Sequence, residues 1–324
     1  MKAIIPVAGE GTRLRPHTHT IPKPLIRVAG KPILGHILDD AVALGIKDIV
    51  LIVGYRGREI VDYVRANYDV KLNFVEQEAR LGLGHAVYLA RKYVGKEPVF
   101  IILGDSIFKG DLGTMIASDC NYIGVKRVAE PQRFGVARLE GSRIVDLVEK
   151  PEQPDSDLAV VGLYAIKDTE ALFGALDSLI SSGSKTKGEF QLTDALNAMI
   201  KDGIELKAFE VEGWYDCGKP ETLLETNRAL LEMLRPRAEA PGSIIVDPVH
   251  IAPDAEIEAS VIGPYVSIAE RAVVRRSIIR NSIIGEGASV EDALLDSSLV
   301  GDNAAVRGMF KRLNVGDSSE IDFT

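Results

Sequence analysis

Ala3-Ile4-Ile5-Pro6-Val7-Ala8, then Gly9-Glu10-Gly11-Thr12-Arg13-Leu14-Arg15-Pro16 and, shortly after, Pro22-Lys23-Pro24-Leu25, decide how this chain is read. The apolar run predicts a buried first strand. A glycine-rich turn leaving a strand lets backbone N–H groups approach a polyphosphate closely, because no side chain stands in the way. Arg13 and Lys23 bring fixed positive charge to the same mouth. The combination implies a nucleoside triphosphate site. Two other glycine loops are excluded. The dinucleotide fingerprint needs a third glycine where this chain has Leu14. The P-loop needs G-K-[ST], and here Thr12-Arg13 follows Gly11.

Outward from this stretch, apolar runs alternate with helical patterns. Ile49 to Val53, Leu72 to Val75 and Val99 to Leu103 read as buried strands, and residues 33–44, 58–67 and 84–93 carry helix-like spacing. Such alternation predicts an α/β domain of right-handed βαβ units on a mostly parallel, Rossmann-like sheet. Ligands of open sheets of this type bind beyond the carboxyl ends of the strands. The glycine loop and Gly104-Asp105 both fall at such ends, in one crevice. From 121 to 167 the runs are shorter and rich in turn residues, as in Val136–Leu139 and Ile144–Val148, and read as added strands. Helical patterns return at 169–180, 191–201 and 220–235. Pro236 and Pro241-Gly242 then punctuate the chain, giving domains 1–236 and 242–324.

The tail repeats one phrase: Ser260-Val-Ile-Gly263, Ser282-Ile-Ile-Gly285 and Ser298-Leu-Val-Gly301, with an aliphatic at the same offset after each glycine (Ile268, Val290, Val306). Short-period aliphatic recurrence between small residues predicts a β-helical solenoid. The intervals are uneven, and a β-sandwich-like cap is the alternative.

The glycine loop with Thr-Arg-Leu-x-Pro and Pro-Lys-Pro-Leu resembles the sugar-1-phosphate nucleotidylyltransferases. The resemblance continues in order through Gln77 with Leu81-Gly-Leu-Gly-His-Ala86, Leu103-Gly-Asp105, Phe134-Gly-Val136, Val148-Glu-Lys-Pro151, Gly162-Leu-Tyr164, Gly188-Glu-Phe-Gln-Leu-Thr-Asp194 and Trp214-Tyr-Asp-Cys-Gly218. The tail resembles the hexapeptide-repeat left-handed β-helix that follows the catalytic domain in several of these transferases.

The reaction so implied is attack by a sugar-1-phosphate oxygen on the α-phosphorus of a nucleoside triphosphate, with pyrophosphate leaving. Charge neutralisation and positioning are what such a reaction asks of a protein. The resemblance assigns catalysis to Arg13, Lys23 and Asp105, and nucleotide binding to Ala8, Gly9, Gly11, Thr12, Arg13, Gln77 and Gly82. Sugar-phosphate binding falls to Gly135, Glu149, Lys150 and Gly162. Asp105 and Asp216 carry over as ligands of Mg²⁺, a hard cation that often takes only one or two protein carboxylates. Glu189 and Asp194 can equally cap the following helix.

The glutamine amide at 77 both donates and accepts, so it suits uracil or thymine, and the same chemistry serves guanine. The loop, one glycine shorter than in many relatives, looks like the uridylyl branch. The β-helix points to long thymidylyl, guanylyl or adenylyl relatives. The favoured substrates are dTTP or UTP with glucose-1-phosphate. Guanylyl transfer to mannose-1-phosphate is the alternative, and a non-catalytic sugar-nucleotide-sensing subunit stands as a reading from another class.

Bulk properties fit this picture. At 324 residues the chain can hold two cores, and 46% hydrophobic with 26% charged content is that of a globular protein. A net charge of −9 argues against nucleic acid as a partner but not against a nucleotide. No apolar run approaches the length of a membrane helix. The N-terminus enters a strand at once, which leaves no room for a signal peptide. Cys120 and Cys217 lack metal-ligand spacing and read as reduced thiols, so a cytoplasmic location is expected. The exposed edges and faces of a solenoid lead to the expectation of a homo-oligomer formed through the tail. His250 stands at the entrance of the tail and reads as structural.

Overall fold

The computed structural model describes residues 1–308, so 309–324 of the expected tail domain lie outside the described residues. The chain forms two compact units. One comprises Met1–Ile26 and Lys31–Leu223; the other comprises Arg27–Gly30 and the chain from Leu224 on.

The first unit opens with β1 (Lys2–Val7). After the two-residue strands β2 (Arg27–Val28), which belongs to the second unit, and β3 (Lys31–Pro32) come α1 (Ile33–Ala43), β4 (Asp48–Val53), α2 (Gly57–Asn67), β5 (Lys71–Glu76), α3 (Leu83–Leu89), α4 (Arg91–Val94) and β6 (Val99–Ile102). Next are β7 (Ser106–Lys109), α5 (Leu112–Ala117), β8 (Asn121–Arg127), β9 (Gly135–Glu140), β10 (Arg143–Glu149) and β11 (Leu158–Ile166). The last elements are α6 (Thr169–Ser182), α7 (Leu192–Lys201), β12 (Leu206–Glu210), β13 (Gly213–Asp216) and α8 (Pro220–Leu234). The division between the units falls inside α8, at Leu223/Leu224, whereas the sequence punctuates at 236–242.

Nine strands form one sheet in the order β5-β4-β1-β6-β11-β8-β12-β10-β9. The block β5-β4-β1-β6 is parallel throughout. Strands β4, β1 and β6 have the two-face burial that parallel sheets demand, whereas β5, expected to be buried over Leu72 to Val75, is the edge strand and leaves Phe74 43% exposed. β11 enters antiparallel to β6 and begins the mixed half. Ile4 and Ile101 on the sheet pack with Ala86 and Val87 of α3, Leu172, Phe173 and Leu176 of α6, and Leu196 and Met199 of α7. Fully burying each such aliphatic or aromatic side chain contributes about 1.5–3 kcal/mol. The helix read over 84–93 is two, because Ala90 ends α3 and starts α4.

Crossing from β1 to β6 brings two loops together. A Cβ on Gly104 would fall 2.3 Å from Val7 Cγ1, and the Gly104 N–H donates to the Pro6 carbonyl at 3.2 Å. Only glycine lets the residue before Asp105 lie against the end of β1.

In the second unit, twelve short strands form three parallel sheets. The first holds β14 (Ile244–Ile245), β17 (Val261–Ile262), β20 (Ile278–Arg280) and β23 (Leu294–Asp296). The second holds β15 (Val249–Ile251), β18 (Val266–Ile268), β21 (Ile283–Ile284) and β24 (Leu299–Val300). The third holds β16 (Glu256–Glu258), β19 (Val273–Arg275), β22 (Ser289–Glu291) and β25 (Ala305–Arg307). This is a parallel β-helix. Ile262 and Ile279 stack inside one sheet, Ile268, Ile284 and Val300 inside the second, and Val274 and Val290 inside the third.

The repeated phrase turns out to occupy two different places. Ser282–Gly285 and Ser298–Gly301 are one coil apart, with Ile283 opposite Leu299. Ser260–Gly263 lies in another sheet, where Val261 pairs with Ile278. The same four letters suit two corners for one reason. The serine hydroxyl donates to the carbonyl two residues back and accepts a backbone N–H from the next coil. Ser260 Oγ accepts from Ser277 N at 3.1 Å, and Ser282 Oγ accepts from Ser298 N at 3.0 Å.

His250 belongs to this unit, with its imidazole against Gly30, where a Cβ would fall 2.3 Å from Nε2. Burial pushes its pKa down, with Glu270 opposing and Arg27 reinforcing that shift. Among the described residues no helix is long and apolar enough to cross a membrane.

Candidate active site

The glycine loop closes on itself. Gly11 is left-handed (φ +62°), and a Cβ there would fall 2.9 Å from both Lys23 Cβ and Thr18 Cγ2. The Thr18 hydroxyl donates to the Gly11 carbonyl at 2.9 Å. Around Gly9 the space is open, so the backbone is accessible there. Thr12–Leu14 form a single short turn that buries Leu14 and leaves Arg13 exposed.

Lys23 is only 7% exposed, yet its Nζ lies 2.9 Å from Asp105 Oδ2. Burying an ammonium is costly unless it is paired, and the carboxylate at the end of β6 supplies the pair. Asp105 Oδ2 is held by this contact while the side chain stays 43% exposed, open to a ligand.

Asp216 arrives from the other end of the sequence. β13 pairs antiparallel with β7, setting Asp216 opposite Ser106, and Cys217 N donates to the Asp105 carbonyl at 3.0 Å. The Thr222 hydroxyl donates to Asp216 Oδ2 at 3.3 Å. At Gly218 a Cβ would meet Arg13 Nη2 and Asp216 Oδ1, each at 2.9 Å. The ends of the guanidinium and the carboxylate thus lie over the bare backbone of this glycine.

One cleft of about 530 Å³ collects these groups. Ala8, Gly9, Gly11, Thr12 and Arg13 line it, as do Lys23, Gln77, Gly82 and Asp105. All nine residues expected for nucleotide binding and catalysis are therefore brought together. Asp216 is not part of the lining but adjoins it through Gly218.

Arg80 and Glu189 also line the cleft. Arg80 carries no sequence signal, since a lone arginine between Ala79 and Leu81 forms no pattern. Its partner is Glu10 in the glycine loop, which also meets Arg15 at 3.5 Å. The hydrogen bond from Arg80 holds the Glu10 carboxyl below its usual pKa.

Gly82 (φ +104°) has its Cβ position blocked by the Phe190 carbonyl at 2.6 Å. Gly84 N donates to that same carbonyl, and Phe190 N to the Leu81 carbonyl. Two stretches far apart in sequence, 81–86 and 188–194, are thus bonded backbone to backbone.

None of the residues expected to bind the sugar phosphate lines this cleft. Glu149 Oε2 accepts from the Thr193 hydroxyl at 2.8 Å, and Oε1 lies 3.2 Å from Lys150 Nζ. Gly135 makes room for that carboxylate, its Cβ position being 3.1 Å from Glu149 Oε2. At Gly162 (φ +89°) the space is filled by Leu103, whose Cδ1 lies 2.4 Å from the Cβ position. Burial raises the Asp194 pKa, and Glu149 adds to the rise. The bond from Thr193 to Glu149 spans 44 positions that no local pattern connects.

Two carboxylates anchored on adjoining backbone, one of them half-exposed, fit a hard divalent cation that takes its remaining ligands from phosphate and water. Among the described residues no cluster of three or more His, Cys, Asp or Glu side chains forms a closed metal cage.

Comparison with known proteins agrees with this geometry. The sequence profile of the family described as Nucleotidyl transferase matches residues 2–233. The glucose-1-phosphate thymidylyltransferase of Streptomyces antibioticus is 33% identical, over 99% of this chain and 99% of its own length. The low-salt glycan biosynthesis nucleotidyltransferase Agl11 of Haloferax volcanii is likewise 33% identical, over 99% of each chain. Among solved structures, a UDP-glucose pyrophosphorylase complexed with UDP-glucose superposes with a TM-score of 0.64 at 29% identity, covering 72% of this chain and 98% of that one.

Proposed function

The chain belongs to the nucleotidyl transferase family as a sugar-1-phosphate nucleotidyltransferase, and within that class we propose that it transfers a thymidylyl or uridylyl group to glucose-1-phosphate. The observation that carries the reading is the single cleft in which the glycine loop, Arg13, Lys23, Asp105 and Gln77 converge.

In the proposed reaction a phosphate oxygen of the sugar-1-phosphate attacks the α-phosphorus in line. The bond from α-phosphorus to the bridging oxygen breaks, and its electron pair leaves with pyrophosphate. The backbone of Gly9 and Gly11 admits the polyphosphate. Arg13 meets the leaving pyrophosphate with a planar fork suited to bidentate contact. Lys23, already desolvated, offers a fixed charge to the phosphates of both substrates. Glu149 accepts hydrogen bonds from sugar hydroxyls, and Lys150 holds the sugar phosphate. Asp105 and Asp216 would hold Mg²⁺, which when bound neutralises phosphate charge. The reading includes a cytoplasmic location and self-association through exposed coil aliphatics such as Ile278 and Leu294.

The test is a pyrophosphate-release panel that crosses dTTP, UTP, GTP, ATP and CTP with glucose-1-phosphate and mannose-1-phosphate, with Mg²⁺ and with chelator. Highest turnover with dTTP or UTP plus glucose-1-phosphate, lost on chelation, is expected. A preference for GTP with mannose-1-phosphate, or metal-independent turnover, overturns the assignment. Light scattering on the same preparation reads the association, which a monomer at micromolar concentration rules out.

A further inference from the structure

Gln77 lines the cleft, yet it is only 8% exposed and its amide nitrogen is fully committed. Nε2 donates to the Gly82 carbonyl at 3.0 Å and lies 3.2 Å from His85 Nδ1. A primary amide nitrogen carries two hydrogens, and these two acceptors use both. Turning the amide over would set Oε1 against the Gly82 carbonyl, acceptor against acceptor.

His85 serves as the second acceptor only if Nδ1 is bare and the ring proton sits on Nε2. Burial pushes the His85 pKa down, which favours the neutral ring. The ring cannot drift easily, because it stands in the first turn of α3, whose start is bonded to Phe190. Among the described residues none donates to Gln77 Oε1. What the side chain offers a ligand is therefore one acceptor and no donor.

We propose that His85 is a positioning residue that, by fixing the Gln77 amide, restricts the cleft to bases carrying a ring N–H. Uracil, thymine and guanine present such a donor, whereas cytosine and adenine present a bare ring nitrogen at the equivalent edge. The inference rests on the reading of the cleft as a nucleoside triphosphate site and deepens it. An amide free to turn over would serve either kind of edge, and one held by both hydrogens cannot. The glutamine alone does not discriminate; the glutamine with its histidine does.

The experiment compares UTP with CTP, in kcat/KM for pyrophosphate release and in equilibrium binding. In His85→Leu the UTP-over-CTP preference should fall on the order of tenfold, the scale of one hydrogen bond, and the change should appear as a lower KM for CTP more than in KM for UTP or in kcat. His85→Asn sets an amide oxygen near the place of Nδ1 and should keep the preference within about threefold of wild type. In the Gln77→Met background, His85→Leu should lower the preference no further, since the histidine then has no amide to hold.

An unchanged preference in His85→Leu overturns the proposal, as does an equal loss with or without Gln77. His85→Met is a second acceptor-free variant and answers the same question if the leucine variant does not fold. The two readouts separate the two claims. Absent turnover in the wild type overturns the reaction, while equal binding of UTP and CTP by the wild type overturns the role of His85.

Discussion

The cleft and the coil both use left-handed backbone, and they reach it by different means. At the cleft it is confined to glycine: Gly11 at φ +62° and Gly82 at φ +104°. In the coil, Ala259, Arg276 and Asp292 repeat it at φ 47°, 46° and 52° on successive turns of one corner. Tyr265, Asn281 and Ser297 do the same at a second corner, and Arg271, Gly287 and Asn303 at the third. A side chain in this region costs roughly 1–2 kcal/mol per residue. The coil sustains that cost because most corners are tied to the turn before them. Arg276 N donates to the Glu258 carbonyl, Asp292 N to that of Arg275, and Asn303 N to that of Glu286, at 2.8–3.1 Å. At the cleft no such ladder exists, and the place of a Cβ is already taken by Lys23 and Thr18 or by the Phe190 carbonyl. Glycine is required where neighbours crowd the backbone, not wherever φ is positive.

The same contrast predicts where substitutions act. Cleft residues serve a ligand, so their loss should appear in turnover before stability. Asp105→Asn should lower kcat by about two orders of magnitude, the scale of one lost transition-state charge contact. Its stability in urea should fall by about 1–3 kcal/mol, because asparagine keeps an oxygen for the buried Lys23 ammonium but not the charge that pairs it. A variant with near-wild-type turnover and a large stability loss would make Asp105 a structural partner of Lys23, and the contrast would fail on its cleft side.

Gly11→Ala should damage both properties. Left-handed strain adds to the collision with Lys23 Cβ and Thr18 Cγ2, each 2.9 Å away. Together these should cost about 2–4 kcal/mol in urea denaturation. The KM for the nucleoside triphosphate should rise as well, since relief of the collision moves Lys23. A variant with wild-type stability would show that crowding is not what reserves this position for glycine.

How far the sequence reveals this molecule follows from the same physics. Strands β1, β4 and β6 are legible because two-face burial leaves long aliphatic runs. The glycine loop, Asp105 and Gln77 are legible because spacing along the chain nearly equals placement in space. Arg80, Thr193 and the partnership of Gln77 with His85 are not. Their partners are set by tertiary register, as when Phe190 docks between Leu81 and Gly84. The coil was visible as a pattern but not in phase, since the Ser-φ-φ-Gly phrase suits two corners alike. Some of its left-handed corners carry Arg276 or Tyr265, residues that announce no turn, because the supporting bond comes from a turn 18 or 17 positions away.

Ala259→Gly is the mirror image of Gly11→Ala and should have the smallest effect. The site is exposed and already left-handed at φ 47°. Removing the Cβ relieves about 1 kcal/mol of backbone strain. It also frees the unfolded chain, which costs about 0.4–1 kcal/mol. The two terms oppose each other, so the net change should lie within about 0.5 kcal/mol of zero, read as a shift of the urea midpoint at constant slope. A loss above about 1 kcal/mol would mean that the Ala259 methyl packs within the corner. A gain of that size would mean that the folded coil carries strain which its inter-turn bonds do not offset. Either result would move the explanation of the corner from the backbone ladder to the side chains that decorate it.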